Sequence, residues 1–559
     1  MPAPGFSTLI DLIEGARDVP PDRGIRVVSS QFAESYYSYS EIFRRVMFHA
    51  GHLRAQDVEA GDKVVVPLAT DIDVICSFLA LIWIGATPVS VSGQMAGQER
   101  GAYLGQILGL RERFGFDRIL TDRQLALDLA DNGTLDPRIT VDPTPPRLDP
   151  DRPAPPVPPA RVAETDLAFL QFSSGSTGDP KGIQITHRNV CSNIKLIVEN
   201  DGRSEHSSGV VWLPLTHDMG LVGGFLSCWA HRHPLVLMNP VCFLMRPVTW
   251  LDYISRYRGT VSPVPNFAID MCNTRIRDHQ LASRKPDLGS LEYIYDGSEP
   301  VSADAIERFT ERFAPYGLRR DVIHPAYGMA EATLMISVPP KGSPLATRDA
   351  DGVRVVSVGR PVGDTQVRIV DESERELPAE TVGEIAVRGS CLTPGYYEDE
   401  EENRRRFRDG WFHTGDLGLL DADGRLFVTG RIKDLIIVDG RNCYAHDIAA
   451  KLEELPFVRR GKTHVFSYNV EGREEVIVMT VLASSMTPAV RGRMDEEMKA
   501  TLLREFGLPI HDVMLVQRIP RTSSGKIRRG ECEALYREYL ESARPGQETL
   551  SGRPVDPGT

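Results

Sequence analysis

Hydrophobic positions change their spacing several times along the chain, and the changes predict alternating strands and helices. Residues 25–92 mix short β-rich runs with helical stretches: Asp62-Lys-Val-Val-Val-Pro reads as a strand, and the apolar run Val74 to Ala86 as a core helix. Leu167 to Phe172 is an apolar run of strand length. Downstream, Val190, Ile194 and Ile197 fall at helical spacing, with Thr186 placed as N-cap. Residues 208–335 hold further apolar strands and helices. From 354 to 430 short alternating strands dominate: Val367-Arg-Ile-Val, Gly383-Glu-Ile-Ala-Val and Arg425-Leu-Phe-Val. A smaller α+β unit begins near Lys433. The pattern predicts an α/β protein with a large N-terminal domain of several subdomains and mixed sheets over 1–432, a small α+β domain over 433–543, and a disordered tail over 544–559. Residues 143–159 are proline-rich and polar, as a surface linker would be.

A chain of 559 residues is too long for one core, so several units are expected. Its 41% hydrophobic and 25% charged residues fit a globular protein. The net charge of −13 argues against a general nucleic-acid or anionic-membrane binder, though not against a nucleotide substrate held at a local positive site. The apolar run at 74–86 is too short to span a bilayer. Eight scattered cysteines form no Cys-x-x-Cys pair, and the N-terminus lacks a basic-then-apolar leader. A reduced, cytoplasmic protein without a zinc cage is expected. Ten lysines stand against 54 arginines, so a lysine inside a chemical motif is informative.

The most telling stretch is Ser173 to Gly182, Ser-Ser-Gly-Ser-Thr-Gly-Asp-Pro-Lys-Gly. Glycines let backbone N–H groups turn toward an anion, hydroxyls add donors, and Lys181 adds a mobile charge. Placed between a predicted strand and a predicted helix, it reads as a phosphate-holding loop. Pro180 breaks the Walker pattern. An ordinary surface turn has the same composition.

Other segments carry candidate chemistry. Tyr327-Gly-Met-Ala-Glu-Ala-Thr333 offers a ring that can stack on a base and a carboxylate that can hold Mg²⁺. Thr414-Gly-Asp416 presents an acid able to take both ribose hydroxyls, although Gly-Asp turns are common. Gly430-Arg-Ile-Lys-Asp434 lies where the composition changes, and Pro520-Arg-Thr-Ser-Ser-Gly-Lys526 is a second glycine-serine loop ending in lysine.

In order and combination these motifs resemble those of the adenylate-forming enzymes: acyl-CoA synthetases, luciferases and peptide-synthetase adenylation domains. The resemblance spans about residues 25 to 535. It is strongest to the fatty acyl-AMP ligases, carried by Trp212-Leu-Pro-Leu-Thr-His-Asp-Met-Gly220, by Phe243-Leu-Met-Arg-Pro-Val-Thr-Trp250 through Pro265-Asn-Phe-Ala268, and by Gly430 through Asn442. Such enzymes activate a carboxylic acid with ATP and pass the acyl group to a carrier protein.

The resemblance implies roles for individual residues. Ser173, Ser174, Gly175, Ser176, Thr177, Gly178 and Lys181 would hold the β- and γ-phosphates, and Glu331 the magnesium ion. Lys526 would reach in from the small domain to bind the substrate carboxylate and the α-phosphate. Tyr327, with Gly328 and Met329, would face adenine, and Asp296, Gly297, Ser298 and Glu299 would line its other side. Asp416 and Arg431 would bind the ribose. His217 would sit near the acyl carboxylate, a place that also suits a structural histidine. Lys433 matches the hinge about which the mobile small domain rotates.

Two departures stand out. Ala330 replaces the threonine usual in the wider superfamily, which leaves an α-phosphate contact to Thr333. Only Leu334 to Ser357 separates Thr333 from Val358-Gly-Arg-Pro361, so the insertion usual in acyl-AMP ligases is shortened or absent. Coenzyme A is therefore an alternative acceptor to a carrier protein or a separate acyl-transferring partner, and a complete acyl-CoA synthetase the alternative function. A catalytically inert scaffold is a third reading, opposed by the retention of Lys181, Glu331, Asp416 and Lys526. Amino-acid activation is a fourth, with no clear aspartate for an α-amino group around Pro265-Asn-Phe-Ala268. Arg404 to Arg408 reads as a solvated charged turn or as a contact for an acidic carrier or coenzyme A phosphates. Met219, Met238 and Met245 suit an acyl pocket or ordinary core.

Overall fold

The computed structural model describes residues 5–93, 100–116, 118–120, 140–141, 157–173, 180–350, 353–438, 441–470, 473–482, 488–506, 508–521 and 527–542. Three principal sheets precede residue 432. The first runs Ile323–Pro325, Tyr293–Gly297, Val261–Pro265, Gly209–Val211, Leu235–Met238, Gly24–Val28 and Glu34–Ser38. All neighbours are parallel except the last pair. Val261–Pro265 and Tyr293–Gly297 lie inside the parallel part and are buried throughout, the polar Ser262 and Asp296 included.

The second sheet repeats this plan. Thr140–Val141, Arg118–Leu120, Lys63–Leu68, Thr87–Ser92 and Leu167–Ser173 are parallel, and Lys181–Thr186 closes the edge antiparallel. The helix Ile72–Trp83, with ten buried residues, makes the crossover between Lys63–Leu68 and Thr87–Ser92. That bears out the layering read from residues 25–92.

One expectation is corrected here. The glycine-serine stretch does not lead from a strand into a helix; it joins two antiparallel strands paired from Leu167↔Thr186 to Ser173↔Lys181. Lys181-Gly-Ile-Gln-Ile-Thr is a second strand, with Ile183 and Ile185 buried and Gln184 half-buried between them. The helix starts only at His187. Thr186 does cap it: its hydroxyl accepts from Asn189 N at 3.1 Å, and Asn189 Oδ1 returns a bond to Thr186 N at 3.1 Å.

The third sheet is antiparallel, Gln366–Val370, Gly383–Arg388, Trp411–Leu420 and Phe407–Arg408, with Leu426–Arg431 also paired to Trp411–Leu420. Between Thr333 and Val358 the described chain forms only the strand Met335–Val338 and the hairpin Thr347–Ala350 with Val353–Val356. Met219 and Met238 are buried, whereas Met245 is 63% exposed.

Beyond Ile436 the chain builds cores of its own. Val458–Val470, Arg473–Leu482 and Asp512–Leu515 form a sheet whose alternation is explicit. Val476 and Val478 pack with Ile448, Leu452, Met498 and Leu502. Ile477, Met479 and Val481 pack on the other face with Met514, Cys532 and Tyr536. None of the eight cysteines is in a disulfide, and all are buried. Among the described residues no helix is long and apolar enough to cross a membrane. The linker at 143–156 and the tail from 543 lie outside the described residues.

The cap supplies a test of this local account. Thr186→Ala should cost about 1 kcal/mol, seen as a lower urea midpoint, while Thr186→Ser stays close to the parent. Equal midpoints for all three proteins would show that the cap contributes nothing.

Candidate active site

Parallel sheets leave their side-chain chemistry at the carboxyl ends of the strands. In the first sheet those ends carry Trp212, Asn266 with Phe267, Asp296 to Glu299, and Ala326 with Tyr327. Ala326 N donates to Asp296 O at 2.8 Å, which ties two of these ends together. Ser298 takes a left-handed backbone, φ 73°, and its hydroxyl lies 3.3 Å from His217 Nε2. His217 Nδ1 is 2.6 Å from Asp218 Oδ1. The ring thus joins the Trp212–Gly220 and Asp296–Glu299 segments, and the chain after it winds as a π-helix from Met219 to Leu226. Glu299 accepts from Phe267 N. Trp212 stacks on Phe243 at 3.9 Å, an apolar wall next to this corner.

Asp296 is fully buried and accepts from Asn266 Nδ2 at 2.8 Å. Burial, with the charge of Glu299 adding to it, pushes its carboxyl up to about 8 against the Asn266 bond. Below neutrality it is a neutral acid.

Tyr327 donates its hydroxyl to Asp416 Oδ2 at 2.7 Å, and Arg431 Nε donates to Asp416 Oδ1 at 2.9 Å. The proposed adenine and ribose residues are therefore one bonded set. The turn that presents Asp416 is held from behind: Gly415 N donates to Glu384 Oε1 at 2.9 Å, and His413 Nδ1 is 3.1 Å from Glu384 Oε2. Gly415 has φ 75°, and an added Cβ would meet Arg406 Nη1 at 2.7 Å. At Gly328 a Cβ would stand 1.8 Å from Leu334 O, so only glycine fits beside Tyr327.

Ala330–Ala332 is a single 3₁₀ turn, and Thr333 follows at φ 65° and ψ −49°, a strained conformation for a β-branched residue. Its hydroxyl donates to Cys391 O at 2.7 Å. Glu331 accepts from the Tyr396 hydroxyl at 2.8 Å. The Tyr396 ring lies beneath Lys181 Nζ, 5.2 Å from ring centre to nitrogen. One aromatic residue therefore bridges the expected metal carboxylate and the expected phosphate cation.

Several members of this site were not singled out in the sequence. Glu402, in the helix Glu400–Arg406, accepts from Lys181 Nζ at 2.6 Å, Arg405 Nη2 at 2.6 Å and Arg406 Nε at 3.1 Å. Partial burial works against its charge, but bonds from Arg405, Lys181 and Arg406 bring its pKa down to about 2. Within the Arg404–Arg408 run, Arg405 and Arg406 thus clamp Glu402 and Arg408 pairs with Glu374, while Arg404 and Arg405 stay exposed as the solvated reading expected. Lys433 is exposed; burial and then the charges of Arg405, Arg406 and Lys181 hold its ammonium below the usual lysine value. Arg529 donates to the Lys433 carbonyl and lies 3.4 Å from Asp434.

Asn189 and Asn193 were also missed. Asn189 Nδ2 donates to Ser390 O at 2.9 Å and Leu392 O at 2.8 Å. Asn193 Nδ2 donates to Ala332 O at 3.3 Å and Met335 O at 3.1 Å, and its Oδ1 accepts from Met335 N at 3.1 Å. The available signal was two carboxamides four residues apart next to the apolar face of one helix. Ser173 ends its strand at the loop, whereas Ser174, Gly175, Ser176, Thr177, Gly178 and Lys526 lie outside the described residues.

The buried acid has a measurable signature. The folded-state pKa of Asp296 lies above its ordinary value, so its contribution to stability is greatest below about pH 4 and is lost as pH rises toward 8. Asp296→Asn removes that titration. The variant should gain stability on the parent between pH 4 and 8, by at most about 1.4 kcal/mol per pH unit, in urea melts. A pH-independent difference would refute a neutral buried carboxyl.

Comparison with known proteins agrees with this geometry. The model of the AMP-binding enzyme family matches residues 17–397. The chain is 36% identical over 405 residues to the medium-chain-fatty-acid–[acyl-carrier-protein] ligase JamA of Moorena producens, covering 66% of this chain and 68% of that protein. It is 32% identical over 596 aligned positions to a 4-hydroxyphenylalkanoate adenylyltransferase of Mycobacterium marinum, covering 95% and 91%. A solved structure from work on fatty acyl-adenylate ligases of E. coli and L. pneumophila superimposes with TM-score 0.87 at 29% identity, covering 97% of this chain and 100% of that one. The fatty acyl-adenylate ligase of L. pneumophila in complex with acyl adenylate and pyrophosphate gives TM-score 0.71 at 28% identity, covering 96% of each. The fold is that of these adenylate-forming enzymes, a large N-terminal domain and a small C-terminal one, and the chain belongs to the AMP-binding enzyme family.

Proposed function

We propose that this protein activates a carboxylic acid with ATP to give acyl-AMP and pyrophosphate, and then passes the acyl group to the phosphopantetheine thiol of a carrier protein. One observation carries the first half. Tyr396 sets Lys181 and Glu331 against a single ring, beside the bonded set Tyr327–Asp416–Arg431. A phosphate cation, a metal carboxylate and a nucleoside cradle then share one wall.

In the first step a substrate carboxylate oxygen attacks the α-phosphorus, the bond to the β-phosphate bridge breaks, and pyrophosphate leaves with its electron pair. Both reactants are anions, so the barrier falls chiefly through charge neutralisation and alignment. Lys181 takes the β- and γ-phosphates with the Ser173–Gly178 loop. Tyr327 and the 296–299 backbone enclose adenine, and Asp416 and Arg431 orient the ribose. Lys526 spans the carboxylate and the α-phosphate, where a long ammonium serves better than a planar guanidinium. His217, held by Asp218 and Ser298, faces the acyl end.

Among the described residues no cluster of three metal-binding side chains exists. A lone carboxylate such as Glu331 still suits Mg²⁺, which binds through one or two carboxylates and substrate phosphates. When bound, the ion would neutralise phosphate charge. In the second step the thiol sulfur attacks the acyl carbon and AMP departs, leaving a thioester. We place the working boundary at 432/433, with Lys433 as hinge between a 1–432 domain and a 433–543 domain.

The carrier protein is favoured as acceptor because JamA acts on one. The short hairpin between Thr333 and Val358 favours coenzyme A as the second reading. Mass spectrometry of products formed with coenzyme A and with a pantetheinylated carrier separates the two.

Activation itself is checked by pyrophosphate release across a panel of fatty and arylalkanoic acids. Release should require both ATP and an acid, and Lys526→Ala should lower it roughly 10²–10³-fold. Undiminished release by Lys526→Ala, or none from any acid, would refute the reading.

A further inference from the structure

The Glu402 cluster is out of balance in a way that bears on the leaving group. Three cations, Lys181, Arg405 and Arg406, lie around one carboxylate, and their charges act on Lys433 at the start of the small domain. Glu401 also acts on Arg405, and Glu331 lies across Tyr396. Glu402 has 11% side-chain exposure and Lys181 22%, so water screens the pair only in part.

We propose that Glu402 is an internal counter-ion that competes with pyrophosphate for Lys181, setting how tightly the leaving group is held and how readily it departs. The inference rests on the role given above to Lys181. Three features support it. Glu402 has a second hold: Arg405 donates from Nε at 2.8 Å and Nη2 at 2.7 Å, and Arg406 from Nε at 3.1 Å. When a phosphate takes Lys181, Glu402 is therefore not left as an unpaired buried charge, and the exchange is cheap. The helix fixes Glu402 in place, since Asp399 caps it and Glu402 N donates to Asp399 Oδ1 at 3.1 Å. Finally, the charges of Arg405, Arg406 and Lys181 act on Lys433 at the start of the small domain. A bound polyanion neutralises the cations and lets Lys433 stay beside them. Its departure restores their mutual repulsion, which Glu402 relieves by direct contact with three of them. Glu402 thereby links loss of the leaving group to release of the segment about which the small domain turns.

The sign is testable because the cluster can be recharged one residue at a time. Magnesium pyrophosphate is titrated into the full chain by calorimetry, and its inhibition of acid-dependent turnover is measured in parallel. Glu402→Gln adds one net positive charge and removes the competitor. It should bind pyrophosphate roughly 5- to 50-fold more tightly, with kcat and the KM for ATP both lowered because release slows. Arg405→Gln removes one positive charge and should move affinity the other way. Glu402→Gln combined with Lys433→Gln should return it toward the parent. A purely structural role for Glu402 would weaken binding in every variant and give no charge rescue, and that outcome overturns the proposal, as does unchanged affinity in Glu402→Gln. If Glu402→Gln fails to fold, Arg405→Gln and Lys433→Gln decide: both must weaken binding by a margin that shrinks with added salt, and tighter, unchanged or salt-independent binding in either refutes it. A parent that binds pyrophosphate but turns over no acid would instead count against the proposed reaction alone.

Discussion

Two buried side-chain amides fix the two strips that flank the Glu331 turn. Asn189 and Asn193 project from the helix that follows the hairpin of the second sheet. Between them they hold the backbone of 390–392 and of 332–335. Those two strips carry Glu331 on one side and lead to Tyr396 on the other. Each bond is worth only about 1 kcal/mol net, but losing an amide would leave several buried carbonyls unpaired at 1–3 kcal/mol apiece. The hairpin that ends at Thr186, the Glu331 turn and the segment at 390–392 are thereby held in register by directional hydrogen bonds added to the apolar packing around them.

That rigidity pays for local strain and like-charge crowding. Thr333 and Ser298 sit at positive φ in a described chain with 11 such non-glycine residues, and both fall at the site. Thr333 is fixed by its hydroxyl on Cys391 O and by the strip that Asn193 clamps. Burial between Asn266 and the first sheet pushes the Asp296 carboxyl up to about 8. On the far side three cations are pressed around Glu402. An enzyme joining two anions needs such uncompensated positive charge before substrate arrives. It can keep it only where the backbone beneath is held by other means.

Much of this was legible in the sequence because it is local. The strand at 167–172, the Thr186 cap, the alternating strands of 367–428 and the acid at Asp416 are all set by spacing within a few residues. The grouping of Tyr327, Asp416 and Arg431 was legible only through the order of motifs, since 89 residues separate Tyr327 from Asp416. The Lys181 strand was missed because Gly-Ile-Gln-Ile-Thr is short and runs straight into a helix cap, so its two-residue period is barely expressed. Glu402 was missed because an acidic run beside an arginine run looks like solvated surface. Only the fold shows that one glutamate turns inward to Lys181 while Glu400 and Glu401 do not. The long-range bonds of Asn189 and Asn193 were invisible for a related reason: they go to backbone groups some 140 to 200 residues away, and a backbone group has no sequence signature.

The account claims that strips from three separate sheets form one nucleotide site. Hydrogen–deuterium exchange with and without magnesium ATP tests this directly. Amides in 181–186, 327–335, 389–396 and 414–417 should gain protection together at saturating nucleotide. Protection confined to one of these strips, or found only on the sheet of 458–482, would contradict it.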